Sequence, residues 1–121
     1  YVNNPGERFL GAVVGPYANR IAGGTYTIDG ETYQFPINNN GQTLHGGLKG
    51  LDMVVWNVDS VSDDSIVLSY LHPDGQDGMP GNLKIVMTYT LTSDNEFKVD
   101  YVAETDKATH VNISHHSVFN L

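Results

Sequence analysis

The last ten residues, Asn112-Ile113-Ser114-His115-His116-Ser117-Val118-Phe119-Asn120-Leu121, set two imidazoles among amide and hydroxyl side chains. A histidine carries a proton near neutral pH and can deliver it in a transition state. A pair of them beside Asn and Ser donors therefore suits a general acid and its orienting shell at a polar site. A plain strand would need only apolar and polar residues in alternation. The segment stops on this motif at Leu121, with no polar tail or closing turn, which reads as part of a longer protein.

Two other stretches hold residues of comparable chemistry. Gly15-Pro16-Tyr17-Ala18-Asn19-Arg20-Ile21-Ala22-Gly23-Gly24 contains one of only two arginines. The fork of Arg20 and the amide of Asn19 are suited to binding several hydroxyl or ring oxygens of a ligand. Equally, Arg20 is a surface cation with many carboxylates to pair with. In Asn38-Asn39-Asn40-Gly41-Gln42-Thr43-Leu44-His45-Gly46-Gly47, a histidine precedes two glycines that permit tight turns and close backbone approach. That places His45 at the mouth of a site or as the cap of a turn.

His72-Pro73-Asp74-Gly75-Gln76-Asp77-Gly78-Met79-Pro80-Gly81 spaces its carboxylates like a calcium loop, but the helix-flanked twelve-residue pattern ending in Glu is missing. A structural turn is the better reading, with Asp74 and Asp77 bonded to local backbone. Metal binding by His45, His115 and His116 fares no better. Neighbours on a strand point to opposite faces, so His115 and His116 cannot readily share an ion, and only one of them enters the site.

These residues must be positioned by strands. Thirteen glycines and short apolar runs between turn signals leave no room for long periodic helices. Thr25–Ile28 and Thr32–Phe35 flank Asp29-Gly30, a dipeptide suited to a tight hairpin. Val54–Val61 with Ser65–Leu71, around Asp63-Asp64, predicts a second hairpin, and Leu83–Leu91 with Phe97–Thr105, around Ser93-Asp94-Asn95, a third. Along the last strand Val99, Tyr101 and Ala103 alternate with Asp100, Val102 and Glu104, as in an antiparallel sheet with one face partly wet. The expected fold is all-β, a meander packed as an antiparallel β-sandwich. Residues 15–24, 38–52 and 72–81 are expected to be its functional loops.

At 121 residues the chain amounts to one domain or a piece of one. Its formal charge of −8 repels nucleic acid and anionic membranes alike, leaving neutral ligands. Without cysteine there is no disulfide, thiolate zinc site or cysteine nucleophile. No apolar run approaches the roughly 20 residues of a membrane helix, and Tyr1-Val2-Asn3-Asn4-Pro5 does not resemble a signal peptide.

Taken in order, Gly15–Ile21 (GPYANRI), Asn39–Asp52 (NNGQTLHGGLKGLD) followed by Trp56, His72–Leu83 (HPDGQDGMPGNL), Tyr89–Thr92 (YTLT) and Asn112–Leu121 (NISHHSVFNL) resemble the galactose mutarotase (aldose 1-epimerase) family. The resemblance implies a many-stranded galactose mutarotase-like sandwich with an open cleft for a pyranose. Residues 1–121 would be the N-terminal to central portion of a single such domain, with the C-terminal portion missing. By position in the motifs, His116 resembles the catalytic histidine, and Ser117 and Val118 lie beside the sugar. Asn19, Arg20 and His45 resemble sugar-binding residues. His115 stands where Asn is more usual, Val118 where Tyr is common, and Met79 where Tyr tends to occur, which bears on sugar preference.

The implied reaction interconverts the α and β anomers of a hexose such as galactose or glucose, with no cofactor and no metal. A carboxylate takes the proton of the anomeric hydroxyl while His116, as imidazolium, gives one to the ring oxygen; the ring opens, rotates about C1–C2 and closes on the other face. His45 and Arg20 would steady the oxygens as the aldehyde forms. The family's glutamate base lies in a part this chain does not contain, and none of Glu7, Glu31, Glu96 or Glu104 sits in a motif resembling it. A non-catalytic carbohydrate-binding relative is the alternative. The resemblance also implies a monosaccharide as the partner, with neither nucleic acid nor membrane, and a cytoplasmic setting, an exported form being the other option.

Overall fold

The computed structural model describes residues 8–121. Ten strands follow one another: β1 (Val13–Val14), β2 (Arg20–Ile21), β3 (Thr25–Ile28), β4 (Glu31–Gln34), β5 (Thr43–Leu44), β6 (Asn57–Val61), β7 (Ser65–His72), β8 (Leu83–Leu91), β9 (Phe97–Thr105) and β10 (Ser114–His115). Single 3-10 turns occur at Ala22–Gly24, Leu51–Met53 and Gln76–Gly78. The strands β6-β7-β8-β9 form one antiparallel meander, and β1-β10, β2-β5 and β3-β4 are two-stranded ladders.

The hairpins form where turn chemistry demands them. Asp29 and Gly30 take φ of 50° and 83°, so both central residues are left-handed, and Tyr26 faces Tyr33 across the ladder. In the β8-β9 turn, Asn95 takes φ of 61° and its N–H donates to the Thr92 carbonyl, setting nine paired positions from Leu83↔Thr105 to Leu91↔Phe97. The second hairpin is shorter than its apolar pattern suggests. β6 starts at Asn57 rather than Val54, because the chain leaves the Leu51–Met53 turn and swings Trp56 inward, its Nε1 donating to the Leu51 carbonyl at 3.4 Å.

Alternation places His72, Tyr70 and Leu68 of β7 and Leu83, Ile85 and Met87 of β8 on one face of the meander, with Val99 and Tyr101 beside them. Against this face pack Val13, Leu51, Trp56 and Ile113. The covering layer is thus made of short ladders and turns. Burial on this face is the main stabilising term, at about 25 cal/mol per Å² of apolar surface removed from water. A smaller core of Ile21, Phe35 and Met79 lies under the β3-β4 hairpin.

The expected loops turn out to be partly paired to each other. Residues 15–24 and 38–52 contribute β2 and β5, which match Arg20 with Leu44 and Ile21 with Thr43. Residues 112–116 run beside 12–18: Val13 pairs with His115, the Ala18 N–H donates to the Asn112 carbonyl at 2.6 Å, and the Asn112 N–H to the Pro16 carbonyl at 2.8 Å. All three polar segments are thereby brought to one edge.

Candidate active site

His45 is held at both ends of its residue. Its backbone N–H donates to the Asn19 carbonyl at 3.0 Å, and its ring Nδ1 accepts from the Asn19 N–H at 3.0 Å. With Nδ1 acting as acceptor, the neutral ring carries its proton on Nε2, which is free to donate to a ligand oxygen. His45 therefore caps a turn and still presents a donor. Both residues need left-handed backbone for this, φ being 52° at His45 and 66° at Asn19. Burial lowers the His45 pKa below its ordinary value, and the neighbouring His116 and Arg20 lower it further.

The second imidazole stands against the first. The His45 and His116 ring centroids are 5.2 Å apart with planes at 87°, an edge-to-face contact. His116 is anchored through its backbone: its N–H donates to the Ala12 carbonyl at 2.8 Å and its carbonyl accepts from the Gly11 N–H at 3.0 Å. His115 points the other way, into the aromatic pair Tyr89 and Phe97 at 5.4 and 5.7 Å, and burial lowers its pKa. The two adjacent rings thus face different neighbours, His116 meeting His45 and His115 packing on Tyr89 and Phe97.

Arg20 is exposed, and its hydrogen bonds go to amides: Nε to Asn39 Oδ1 at 3.2 Å and Nη1 to Asn19 Oδ1 at 3.4 Å. The two ion pairs among the described residues are Arg8–Asp52 and Lys107–Asp74, so Arg20 is not the carboxylate-paired surface arginine that composition allows. Ser117 diverges from the cluster. Its Oγ lies 3.5 Å from His115 Nε2, on the packing side, while Val118 is 76% exposed. Both line a neighbouring cleft of about 570 Å³ with Arg8, Leu10, Asp52, Met53 and Phe119.

In the 72–81 segment, Asp74 bonds locally as expected, its Oδ1 accepting from the Gly81 N–H at 2.6 Å. Asp77 does not. Its Oδ2 accepts from the Lys49 N–H at 2.8 Å, tying this turn to the loop that carries His45. Met79, which stands where the family tends to have Tyr, is 3% exposed in the smaller core. Of the acids weighed as a base, Glu7 lies outside the described residues; Glu31 is exposed and accepts from the Tyr33 hydroxyl at 2.8 Å; and Glu96 and Glu104 are exposed in the β8-β9 hairpin. The carboxylate whose charge reaches His45 is Asp52, and Arg8 holds both its oxygens.

Arg8, Phe9 and Asp52 were not singled out by sequence reasoning. Phe9 meets His45 at 4.7 Å and His116 at 6.5 Å. The available signal was the rarity of arginine in so acidic a chain, which makes each guanidinium a strong attractor for some carboxylate.

The short antiparallel ladders and meander that carry this edge share their fold with solved aldose epimerase relatives. The structure superposes on an aldose epimerase homologue from C. elegans with a TM-score of 0.83 and 34% identity, covering 88% of this chain and 33% of that one. For galactose 1-epimerase from Lactobacillus acidophilus the TM-score is 0.81 at 34% identity, covering 94% of this chain and 36% of that one. The chain belongs to the family described as aldose 1-epimerase, whose sequence model matches residues 1–121. It is 48% identical over 113 residues to galactose mutarotase from Sus scrofa, covering 93% of this chain and 32% of the relative. The chain spans about a third of the length of the curated relatives it matches. Among the described residues, no helix is long and apolar enough to cross a membrane.

Proposed function

We propose that this chain is the N-terminal to central portion of an aldose 1-epimerase domain, which interconverts the α and β anomers of an aldohexose such as galactose or glucose. The observation that carries this reading is the perpendicular His45–His116 pair with the His45 tautomer assigned by Asn19. His45, neutral by burial and by its neighbours, donates from Nε2 to a sugar oxygen. His116, whose ring faces the same space, acts as the general acid toward the ring oxygen. Arg20 and Asn19 add donors at the exposed rim. Val118 and Ser117 border the sugar from the adjoining cleft.

Protonating the ring oxygen while a carboxylate removes the proton of the anomeric hydroxyl breaks the C1–O5 bond and leaves an aldehyde at C1. Rotation about C1–C2 and reversal of both transfers close the other anomer. With Asp52 held by Arg8, the base is supplied from outside these residues. That same observation favours a second reading: a protein lacking this base would hold a monosaccharide without turning it over. The cytoplasm is the compartment in which free hexoses are expected to meet such an enzyme.

Polarimetry tests this. Family-length protein carrying this sequence should accelerate mutarotation of freshly dissolved α-D-galactose or α-D-glucose. Its His116→Ala variant should lose about 10²- to 10⁴-fold of that acceleration, the usual worth of a general acid. Binding of either sugar without acceleration by the unmodified protein would favour the binding reading and remove His116 as the acid.

A further inference from the structure

We propose that Arg8 and Phe9 are positioning residues which set the separation and orientation of the two imidazoles, by joining the loop that carries His45 to the segment that carries His116. The proposal rests on the reading of those histidines given above and adds the element that holds them together.

Three sets of contacts converge on residues 8–12. Arg8 grips the His45 loop: its Nε meets Asp52 Oδ2 at 2.6 Å and its Nη2 meets Oδ1 at 3.0 Å, a two-pronged pair. The same Nη2 donates to the Leu48 carbonyl at 3.3 Å. The Asp52 side chain is 1% exposed, so this pair is shielded from the solvent that weakens surface pairs. Phe9 then meets both rings, its centroid 4.7 Å from that of His45 at an interplanar angle of 62° and 6.5 Å from that of His116. The Arg8 guanidinium lies over the Phe9 ring, 4.9 Å from its centroid, and helps to steady it. The third set is backbone. Gly11 donates to the His116 carbonyl and Ala12 accepts from the His116 N–H, so the turn that carries Phe9 is bonded to both polar groups of His116.

The His45 loop needs such a tie. His45, Gly46 and Gly47 all have positive φ and form no regular ladder, so the ring's position depends on a few discrete contacts. Arg8 and Phe9 supply contacts to the loop and to the ring itself, and the same short segment fixes His116. Catalysis by two groups depends steeply on their placement, a shift of about 1 Å costing up to 10²-fold in rate.

The test uses family-length protein and two independent readouts: steady-state polarimetry, and NMR titration of the His45 and His116 imidazoles. The charges around His45 are His116, Arg20, Asp52 and Arg8. Arg8→Met and Phe9→Leu should lower kcat about 10- to 100-fold. KM should change about twofold or less, because the rim donors Asn19 and Arg20 are untouched. Phe9→Leu should also raise the His45 titration midpoint toward its ordinary value as the ring loses its cover. Arg8→Lys, which keeps the charge and loses the fork, should recover only part of the rate and serves should Arg8→Met fail to fold. Lys107→Met removes the other ion pair, remote from the site, and should change neither readout.

Folded Arg8→Met and Phe9→Leu proteins with unmodified kcat and midpoints would overturn the proposal, as would full rescue by Arg8→Lys. If the unmodified protein shows no mutarotase activity, the reading of the histidines fails. A midpoint shift in Phe9→Leu would still uphold the positioning role, and its absence would remove that role as well.

Discussion

Gly46→Ala is the sharpest perturbation of this site, because it adds one methyl group directly beneath His45. Gly46 has φ of +87°, and a Cβ there would overlap the Gly15 carbonyl oxygen and lie 3.2 Å from the Pro16 nitrogen. Left-handed backbone costs a residue with a Cβ about 1–2 kcal/mol. The Gly15 carbonyl must also retreat, and it accepts the Leu51 N–H at 3.1 Å, next to a side chain only 1% exposed. Losing that buried hydrogen bond adds about 1–3 kcal/mol. The expected total of about 2–5 kcal/mol is a large share of the roughly 5–15 kcal/mol that holds a domain together.

Two controls separate the causes. Gly41 has φ of +79° with nothing near its added methyl, so Gly41→Ala should show the strain alone, about 1–2 kcal/mol. Gly81→Ala, at φ of +87°, would bring a Cβ to 2.8 Å from Thr105 Oγ1 and 3.1 Å from Lys107 Cβ, away from the His45 loop, and should lose stability while sparing the site. Urea unfolding followed by Trp56 fluorescence measures stability, and NMR of the His45 ring measures the site. A Gly46→Ala protein no less stable than Gly41→Ala would refute the reasoning, since close backbone approach would then count for nothing. An unaltered His45 ring in a destabilised Gly46→Ala protein would break the link from the loop's packing to the imidazole.

Two further perturbations test the core. His72 is 1% exposed, neither ring nitrogen has a hydrogen-bond partner among the described residues, and burial holds its pKa below the ordinary 6.5. The unfolded chain therefore takes up a proton before the folded one as pH falls through 6.5, so stability is full above that value and declines below it. His72→Leu should be as stable as the parent or more so at pH 7.5, and should flatten part of the decline toward pH 5 in urea titrations; an unchanged pH slope would count against a neutral His72. His45 and His115, whose pKa values are also lowered, contribute with the same sign. Met87, 1% exposed at the centre of the meander, should cost about 2–5 kcal/mol as Met87→Ala, and a loss below about 1 kcal/mol would place the core elsewhere.

Much of the local structure was legible in the sequence because its causes are local. Asp29-Gly30 and Ser93-Asp94-Asn95 specify their turns through residues that tolerate positive φ, and alternation in Phe97–Thr105 sorts Val99 and Tyr101 inward. The same pattern misled at Val54–Trp56, where an apolar run looks like strand and Trp56 instead turns to meet Leu51. Asp77 was read as a local cap and reaches Lys49, 28 residues away, because side-chain chemistry says what a carboxylate wants but not which donor arrives.

The sequence by itself determined the strands, the hairpin turns, the family motifs and the rule that adjacent histidines on a strand face opposite ways. Tertiary structure decided which neighbours each one meets: His115 packs on Tyr89 and Phe97, and His116 meets His45. It also decided the His45 tautomer, set by an Asn19 N–H 26 residues away, and the convergence of residues 12–18 with 112–116, where Asn112 bonds Ala18 across 94 positions. Turn and strand preferences arise within a few residues of backbone and side chain. A site built from segments this far apart exists only once burial on the meander has fixed which ladders can lie side by side.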